Sequence, residues 1–478
     1  GGVWTQQQKL TASNAEADDQ FGVSVAIAGE TIVVGANLED SNSDGVDGDQ
    51  TDNSATSAGA AYVFTRSGAA WSQQAYLKAS NTEVGDFFGD SVAIAGETIV
   101  VGAVLEDSGS DGVDGSQTDN DAFQAGAAYV FTRSDGNWSQ QAYLKASNVE
   151  ERDQFGYSVA IAGETIVVGA NGEDGASDGV DGNQADNGSS DAGAAYVFTR
   201  NGSTWSQQVY LKASNSNRND EFGTSVAIAG ETIVVGAFGE DSGSNGFNGD
   251  QLDNSQFDAG AAYVFTRSGS TWSQQAYLKA SNSTELNYFG KSVAVAGETI
   301  VIGAFREFSG SNGVGGNQGD VSAAFAGAAY VFTRSGVNWS QQAYLKASNS
   351  ELDDQFGHSV AIAGETIVVG AIGEDSITSG VNTVPNRAGT ATDSGAAYIY
   401  TTSAQLQFAV KVKSNSKLGK VTGAGSYTQG SSVTLTAKAK RGKKFLGWYE
   451  GKKLLSKKKI YILKNLTKDL NLTAKFFN

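Results

Sequence analysis

The chain has 478 residues, with 61 glycines, one proline and neither cysteine nor methionine. Hydrophobic residues make up 40% of the sequence, which is enough to build a folded core, and the formal net charge is −19. The lack of cysteine excludes disulfides, thiolate metal sites and cysteine nucleophiles. No run of 18 apolar residues is present, which excludes a membrane-spanning helix.

The first segment, WTQQQKLTASN from Trp4, has the pattern of a single strand. After it, a unit of 67 residues recurs six times, and each copy opens on a Phe-Gly pair. These pairs begin at Phe21, Phe88, Phe155, Phe222, Phe289 and Phe356. Each unit contains four strand patterns, SVAIAG, TIVVGA, AAYVFTR and WSQQAYLKAS, with tight turns such as AGE and RSG and without a helical period. TIVVGA is a short apolar run, typical of a strand buried on both faces, whereas AAYVFTR and WSQQAYLKAS alternate apolar and polar residues. Four short antiparallel strands per repeat predict the blade of a β-propeller; a solenoid is the alternative and would need capping repeats.

The two ends of the repeat array complement each other. The sixth unit stops after GAAYIYTT and lacks its fourth strand, whereas the segment at Trp4 is a fourth strand without a blade. We therefore expect the strand near Trp4 to pair with the strand near Tyr398 and close a six-bladed ring over residues 1–404. Insertion of the Trp4 strand into a neighbouring molecule is the alternative.

The motifs FGxSVA, VVGA and GAAYVF resemble the FG-GAP repeat of the integrin α-subunit head and of large bacterial surface proteins. This resemblance implies a propeller that binds ligands on the face carrying the loops after strands 2 and 4. Related repeats hold Ca²⁺ in a DxDxDG loop between strands 1 and 2. Here that loop is only Ala28-Gly29-Glu30, so the family's calcium site does not carry over.

The long loop after strand 2 is rich in aspartate and glycine, reading EDSNSDGVDGDQTDN in the first unit. Closely spaced carboxylates in a flexible loop suit Ca²⁺, which takes six to eight oxygen ligands. The candidate ligands are Asp40, Asp44, Asp47, Asp49, Asp52, Asp107, Asp111, Asp114, Asp119, Asp174, Asp178, Asp181, Asp186, Asp241, Asp250 and Asp253. The same residues also build Asx-turns without a metal. Units 5 and 6 have lost most of these carboxylates.

Catalytic signals are weak. The single histidine, His358, fills the variable position of FGxSVA, where the other units carry five other residue types. Such variability indicates a surface or channel-rim position. Paired carboxylates repeat with the unit, whereas an active site normally breaks that symmetry. The sequence therefore predicts a protein that is not an enzyme, and a propeller-fold hydrolase or lyase remains a minor alternative.

Charge divides the chain in two. Residues 405–478 contain 17 basic and 2 acidic residues, and residues 1–404 contain 16 and 50, giving net charges of +15 and −34. From about Leu406, alternating strands and Gly-rich turns resemble the divergent internalin-type B repeat, a small β-grasp-like module. The matching positions read as turn and core residues: Gly423, Gly425, Tyr427, Gly430, Val433, Leu435, Phe445, Gly447 and Trp448.

The tail domain is also unusually rich in lysine. Its candidate interaction residues are Lys443, Lys444, Lys452, Lys453, Lys457, Lys458 and Lys459. They would attract an acidic polymer or an acidic propeller face; a merely soluble surface is the alternative.

Together these features predict an all-β, exported bacterial-type protein of the extracellular space or cell surface. It would act by binding a protein or glycan on its acidic loop face and by self-association of basic tail with acidic propeller. A subunit of a head-to-tail filament is the closest alternative. Ca²⁺ is the only cofactor expected, and neither nucleic acid nor a membrane span is predicted.

Overall fold

The computed structural model describes residues 6–376, 380–381, 393–401, 407–428, 431–464 and 466–477. The chain divides into two compact units, Gly1–Tyr400 and Thr401–Asn478. All regular elements within the described residues are β-strands. The prediction of an all-β propeller followed by a small β domain is confirmed.

The first unit contains six consecutive sheets, which are the predicted blades. Blade 1 is formed by β1 (Val25–Ala28), β2 (Thr31–Ala36), β3 (Ala60–Ser67) and β4 (Ala70–Leu77). Blade 2 is formed by β5 (Phe88–Ala95), β6 (Thr98–Ala103), β7 (Ala127–Ser134) and β8 (Asn137–Leu144). Blade 3 is formed by β9 (Phe155–Ala162), β10 (Thr165–Ala170), β11 (Ala194–Asn201) and β12 (Thr204–Leu211).

Blade 4 is formed by β13 (Phe222–Ala229), β14 (Thr232–Ala237), β15 (Ala261–Ser268) and β16 (Thr271–Leu278). Blade 5 is formed by β17 (Phe289–Ala296), β18 (Thr299–Ala304), β19 (Ala328–Ser335) and β20 (Asn338–Leu345). Blade 6 is formed by β21 (Phe356–Ala363), β22 (Thr366–Ala371) and β23 (Ala396–Thr401). Strands within each blade pair antiparallel in chain order.

The first strands of consecutive blades contact one another, so they lie innermost around the axis of the propeller. In β22 of blade 6, half-buried and buried residues alternate, whereas the second strands of blades 1 to 5 carry a buried apolar run, as in β6, where all six residues are buried. This burial confirms that TIVVGA packs on both faces.

The Phe-Gly pair forms the joint between blades. Phe88 is fully buried and packs edge-on against Tyr129, with ring centroids 5.4 Å apart; burying such a ring contributes about 1.5–3 kcal/mol. Its backbone N–H donates to the carbonyl of Ala58 in blade 1 at 2.9 Å. Gly89 has φ +93°, and a Cβ there would strike the carbonyl oxygen of Ala60. Glycine is therefore required where the two blades meet.

Blades 1 and 6 each have only one neighbouring blade in the order of the chain. On their other side, residues are more exposed than the residues at the same positions of the internal blades. Val25 is 67% exposed and Ile399 is 51% exposed, whereas Val92 and Val130 of blade 2 are 8% and 0% exposed. Residues 6–12 are outside any strand, although Leu10 packs against blade 1. Trp4 lies outside the described residues, so its pairing with the strand near Tyr398 stays a prediction.

The second unit consists of two small sheets. Its strands are β24 (Gln407–Ser414), β25 (Gly419–Thr422), β26 (Gly425–Thr428), β27 (Val433–Ala439), β28 (Lys444–Glu450), β29 (Lys453–Ser456), β30 (Ile460–Leu463) and β31 (Leu470–Phe477). One sheet has the order β26-β24-β31-β28-β29, with β24 and β31 parallel, and the other has the order β25-β27-β30.

The core between these strands is built from the positions that the sequence assigned to it. Trp448 and Leu435 are 0% exposed, and Val433 is 2% exposed. Tyr427 and Phe445 pack at the edge of this core. Gly430 lies outside the described residues.

Candidate binding surfaces

The acidic loop after strand 2 folds back along strand 4 of its own blade. In blade 1, the N–H of Gly45 donates to the carbonyl of Ala79 at 3.0 Å, and the N–H of Lys78 donates to the carbonyl of Gly45 at 2.7 Å. Asp47 N–H donates to the carbonyl of Tyr76 at 2.8 Å. Equivalent contacts recur in blades 2 to 5. In blades 1 to 5 these loops therefore form hydrogen bonds with part of the outer strand, whose backbone groups would otherwise be free to pair with another strand.

Many of the predicted calcium ligands hold the backbone of these loops. Asp47 has φ +55°, and its carboxylate accepts the N–H of Tyr76 at 2.9 Å. The carboxylate of Asp40 accepts the N–H of Ser57 at 2.8 Å, and that of Asp44 accepts the N–H of Thr82 at 3.0 Å. The same use of a carboxylate as a backbone acceptor recurs at Asp49, Asp52, Asp107, Asp114, Asp174, Asp178, Asp181, Asp186, Asp241 and Asp250.

The remaining candidates lie in the same loops. Asp111 is exposed and Asp253 is half-buried, while Asp119 interacts with Asp121 and raises the pKa of that carboxyl. Within the described residues, no three or more His, Cys, Asp or Glu side chains form a group that could hold a metal ion. Asp49, Asp52, Asp186 and Asp250 each accept the N–H two residues on, as in the Asx-turn alternative. The other acceptors join the loop to more distant backbone, and calcium binding stays a prediction.

A buried ion pair, which sequence reasoning missed, recurs in blades 1 to 5. In blade 2, Lys145 Nζ lies 2.9 Å from Glu106 Oε2, and the two side chains are 0% and 2% exposed. Tyr143 donates its hydroxyl to Glu106 at 2.9 Å. Burial lowers the pKa of Lys145, and the Glu106 carboxylate counteracts that shift. The carboxylate is therefore paired and hydrogen-bonded, as a buried charge must be.

The same glutamate also connects adjacent blades. Asn81, which follows strand 4 of blade 1, donates to Glu106 at 2.9 Å and accepts the hydroxyl of Tyr129 at 2.6 Å. The sequence held a signal for this pair. The glutamate at the start of the acidic loop and the lysine of YLKAS both recur with the 67-residue period. These ionisable groups hold the scaffold together.

A second set of buried carboxyls belongs to aspartates two residues before the Phe-Gly pair. Burial raises the pKa of Asp153 and of Asp220 to about 8, and that of Asp86 to about 7. Asp153 is 2% exposed, and its carboxylate accepts the N–H of Glu150 at 3.0 Å. Blade 5 carries Asn287 at the equivalent position, fully buried. Neutral side chains therefore fit this site.

His358 lies at the rim of the axis, as its variability predicted. Its ring is 5.6 Å from that of Phe305 in an edge-on arrangement. Burial, followed by the positive charge of Lys291, lowers the pKa of this imidazole.

The lysines of the tail domain fall into two groups. Lys443 and Lys444 lie at the start of β28, and Lys457, Lys458 and Lys459 follow β29 after it has returned along β28. Lys452 and Lys453 lie at the turn between these strands, at the opposite end of the hairpin. All of these lysines except the half-buried Lys443 are exposed. The domain therefore presents basic charge at both ends of one hairpin.

Comparison with known families agrees with this geometry. The model of the FG-GAP repeat matches residues 4–64, 71–131, 138–198, 205–265, 272–332 and 339–400. The chain belongs to the FG-GAP repeat family. The divergent InlB B-repeat domain matches residues 408–478 of this FG-GAP protein, so both resemblances drawn from the motifs are confirmed.

Other comparisons add less. No curated protein matches the chain. Among solved structures, a Bacteroides uniformis protein provisionally named a 6-phosphogluconolactonase matches with 9% identity and a TM-score of 0.39. That match covers 79% of this chain and 88% of the other, and a likeness of this degree carries no argument about fold or activity. No helix of the described residues is long and apolar enough to cross a membrane.

Proposed function

We propose that this FG-GAP protein is a non-enzymatic protein of the bacterial cell surface or extracellular space that acts by binding and assembly. The observation that carries this proposal is how its ionisable side chains are used. The buried Glu106–Lys145 pair and its counterparts in blades 1 to 5 hold blades together, and many of the loop aspartates hold loop backbones. FG-GAP and InlB-type repeats are both typical of surface proteins.

The ligand-binding face we propose is the one that bears the acidic loops. Those loops differ between blades, whereas the turns on the opposite face, such as Ala28-Gly29-Glu30, are nearly constant. Variable loops on a rigid scaffold are the usual place for recognition. A protein or glycan ligand on this face fits that arrangement.

Self-association is the second part of the proposal. The division of charge, −34 in residues 1–404 against +15 in residues 405–478, favours contact between the tail of one molecule and the propeller of another. Such a head-to-tail contact builds a filament when it does not close. Salt would weaken it, because the Debye length falls to about 8 Å at physiological ionic strength.

The test is the mass of the protein in solution, measured by light scattering at low and at physiological salt. We expect larger species at low salt that shrink on adding salt. The triple variant K457Q/K458Q/K459Q should reduce them, whereas K411Q/K413Q/K417Q removes the same charge elsewhere in the tail and should reduce them less. A monomer at both salt concentrations, even in concentrated solution, contradicts self-association. The proposed binding of a protein or glycan ligand would not be affected by that result.

A further inference from the structure

The mouth of the propeller axis departs from the symmetry of the repeat. At three positions per blade around the axis, residue types change from blade to blade: the residue before Phe-Gly, the residue after it, and the residue after the second strand. The second of these positions holds Val23, Asp90, Tyr157, Thr224, Lys291 and His358. The third holds Asn37, Val104, Asn171, Phe238, Phe305 and Ile372. Because the core residues repeat and these residues do not, the axis is one of the places where the blades differ in chemistry.

Side chains from several blades meet there. Lys291 of blade 5 reaches Tyr157 of blade 3, with Nζ 3.1 Å from the phenol oxygen, and its Nζ lies 4.8 Å from the ring centre of Phe238 in blade 4. On the blade 2 side, Asn37 donates to Asp90 at 2.7 Å. Lys291 also acts electrostatically on the carboxyl of Asp90. The mouth is therefore a single mixed cluster.

Aromatic rings continue the cluster on one side. Phe238 packs edge-on against Tyr288 at 5.3 Å between ring centroids, and Tyr288 stacks on Phe305 at 5.5 Å. The guanidinium of Arg306 lies 4.9 Å from the ring centre of Tyr288. All three rings are half-buried, so part of their apolar surface remains available for contact.

Three polar atoms in the mouth have no hydrogen-bond partner within the described protein. They are Oδ1 of Asn37, Oδ1 of Asn171 and Oγ1 of Thr224. The three residues are 6%, 7% and 4% exposed. A buried polar atom without a partner is unfavourable, so each one in a native structure requires an explanation. Other buried atoms without a partner, such as Oε1 of Gln140, Gln207, Gln274 and Gln341, recur at one position of the repeat. The three atoms of the mouth lie instead at its variable positions, where a ligand, or the water that it replaces, would supply the missing partner.

The charges limit the chemistry of that ligand. Glu221 precedes the Phe-Gly pair of blade 4, and its carboxylate accepts the side-chain N–H of Asn171 at 3.3 Å. A strong anion would meet the carboxyls of Asp90 and Glu221, and a cation would meet the ammonium of Lys291. Hydroxyl groups both donate and accept, so they can satisfy amide oxygens, carboxylates, a threonine hydroxyl and an ammonium together. The flat apolar side of a sugar ring suits the half-buried aromatic rings.

We propose that the axis mouth binds an uncharged, hydroxyl-rich ligand, a saccharide unit, between Asp90, Thr224, Lys291 and the aromatic group of Phe238, Tyr288 and Phe305. This inference rests on the proposed binding role. It places recognition at the axis, away from the aspartates of the outer loops.

The experiment is saturation-transfer difference NMR on the full chain with five neutral probes: cellotriose, chitotriose, maltotriose, xylotriose and mannotriose. We expect at least one probe to bind, and Lys291→Met and Thr224→Val each to weaken it by about 10-fold, the equivalent of one lost hydrogen bond to a charged or buried group. Thr224→Val copies the residue of blade 1, Val23. It removes an unpaired buried hydroxyl and should leave the melting temperature unchanged or higher, so lost affinity would not reflect lost folding.

The control is Asp111→Asn in the exposed acidic loop of blade 2, which should not alter saccharide binding. Binding that is lost in Asp111→Asn but kept in both mouth variants would overturn the axis site while supporting recognition by the acidic loops. If none of the five probes binds, the saccharide inference is wrong. The proposed self-association is tested separately, by the mass of the protein in solution. A melting temperature that falls in Thr224→Val would show that the hydroxyl has a structural role and also overturn the inference.

Discussion

The buried carboxyl of Asp153 should make the propeller less stable as the pH rises towards neutrality. Burial is the main cause that raises its pKa to about 8, and the nearby Glu173 carboxylate adds to the shift. An unfolded aspartate has a pKa of about 3.9. Between these values the folded state binds the extra proton, so the free energy of unfolding falls with rising pH.

The magnitude follows from linkage. One proton bound only in the folded state changes the free energy of unfolding by about 1.4 kcal/mol per pH unit, or about 2.7 kcal/mol between pH 5 and pH 7. Asp153→Asn abolishes this titration, and its amide oxygen can still accept the N–H of Glu150. Asn287 already occupies the equivalent place in blade 5, fully buried, which shows that the amide fits.

Urea unfolding at pH 5, 6 and 7 is the assay. We expect the stability of Asp153→Asn relative to wild type to increase by about 2.7 kcal/mol between pH 5 and pH 7. Glu151→Gln, at an exposed neighbouring position, likewise replaces a carboxyl by an amide and should leave the pH dependence unchanged. A difference between Asp153→Asn and wild type that stays constant with pH would refute the assignment of a proton to this buried carboxyl.

Three other outcomes are expected. Lys145→Met leaves its glutamate partner buried and unpaired, so the free energy of unfolding measured in urea should fall by about 3–5 kcal/mol; a loss below about 1 kcal/mol would contradict the buried pair. The chain has no cysteine, so an introduced pair can be followed directly. If the N-terminal segment completes blade 6, the double variant Gln8→Cys/Ile399→Cys should form a disulfide within one molecule. The matched control is Val63→Cys/Ala75→Cys, which joins the equivalent paired positions inside blade 1. A disulfide-linked dimer would instead support pairing with a neighbour, and no disulfide would oppose both. If the loops bind Ca²⁺, blades 1 to 3 should bind it and blade 5 should not. A melting temperature that does not change when a chelator is added would contradict calcium binding.

Much of the architecture could be predicted from the sequence because the repeat is long, regular and locally readable. Six Phe-Gly pairs at a spacing of 67 residues predicted six blades. The apolar run of TIVVGA predicted a strand buried on both faces, as in β6. AAYVFTR has an alternating pattern, yet in β7 its first five residues are all buried, because neighbouring blades cover both faces of that strand. Strand pairing within a blade joins strands that are neighbours in the chain, and short turns link the first strand to the second and the third to the fourth, so a local pattern predicts most of the pairing.

The chemistry of individual side chains was decided by the tertiary structure. Asp47 had the spacing of a metal ligand, but its carboxylate accepts a backbone N–H from strand 4. Glu106 and Lys145 are 39 residues apart and meet only when the loop after strand 2 comes back to strand 4. Lys291 and Tyr157 are 134 residues apart and meet only at the axis. Periodicity in the sequence determines which strands form, because backbone hydrogen bonds and turns are local. Which polar groups end up facing one another depends on how the blades pack around a common axis, and no single repeat contains that information.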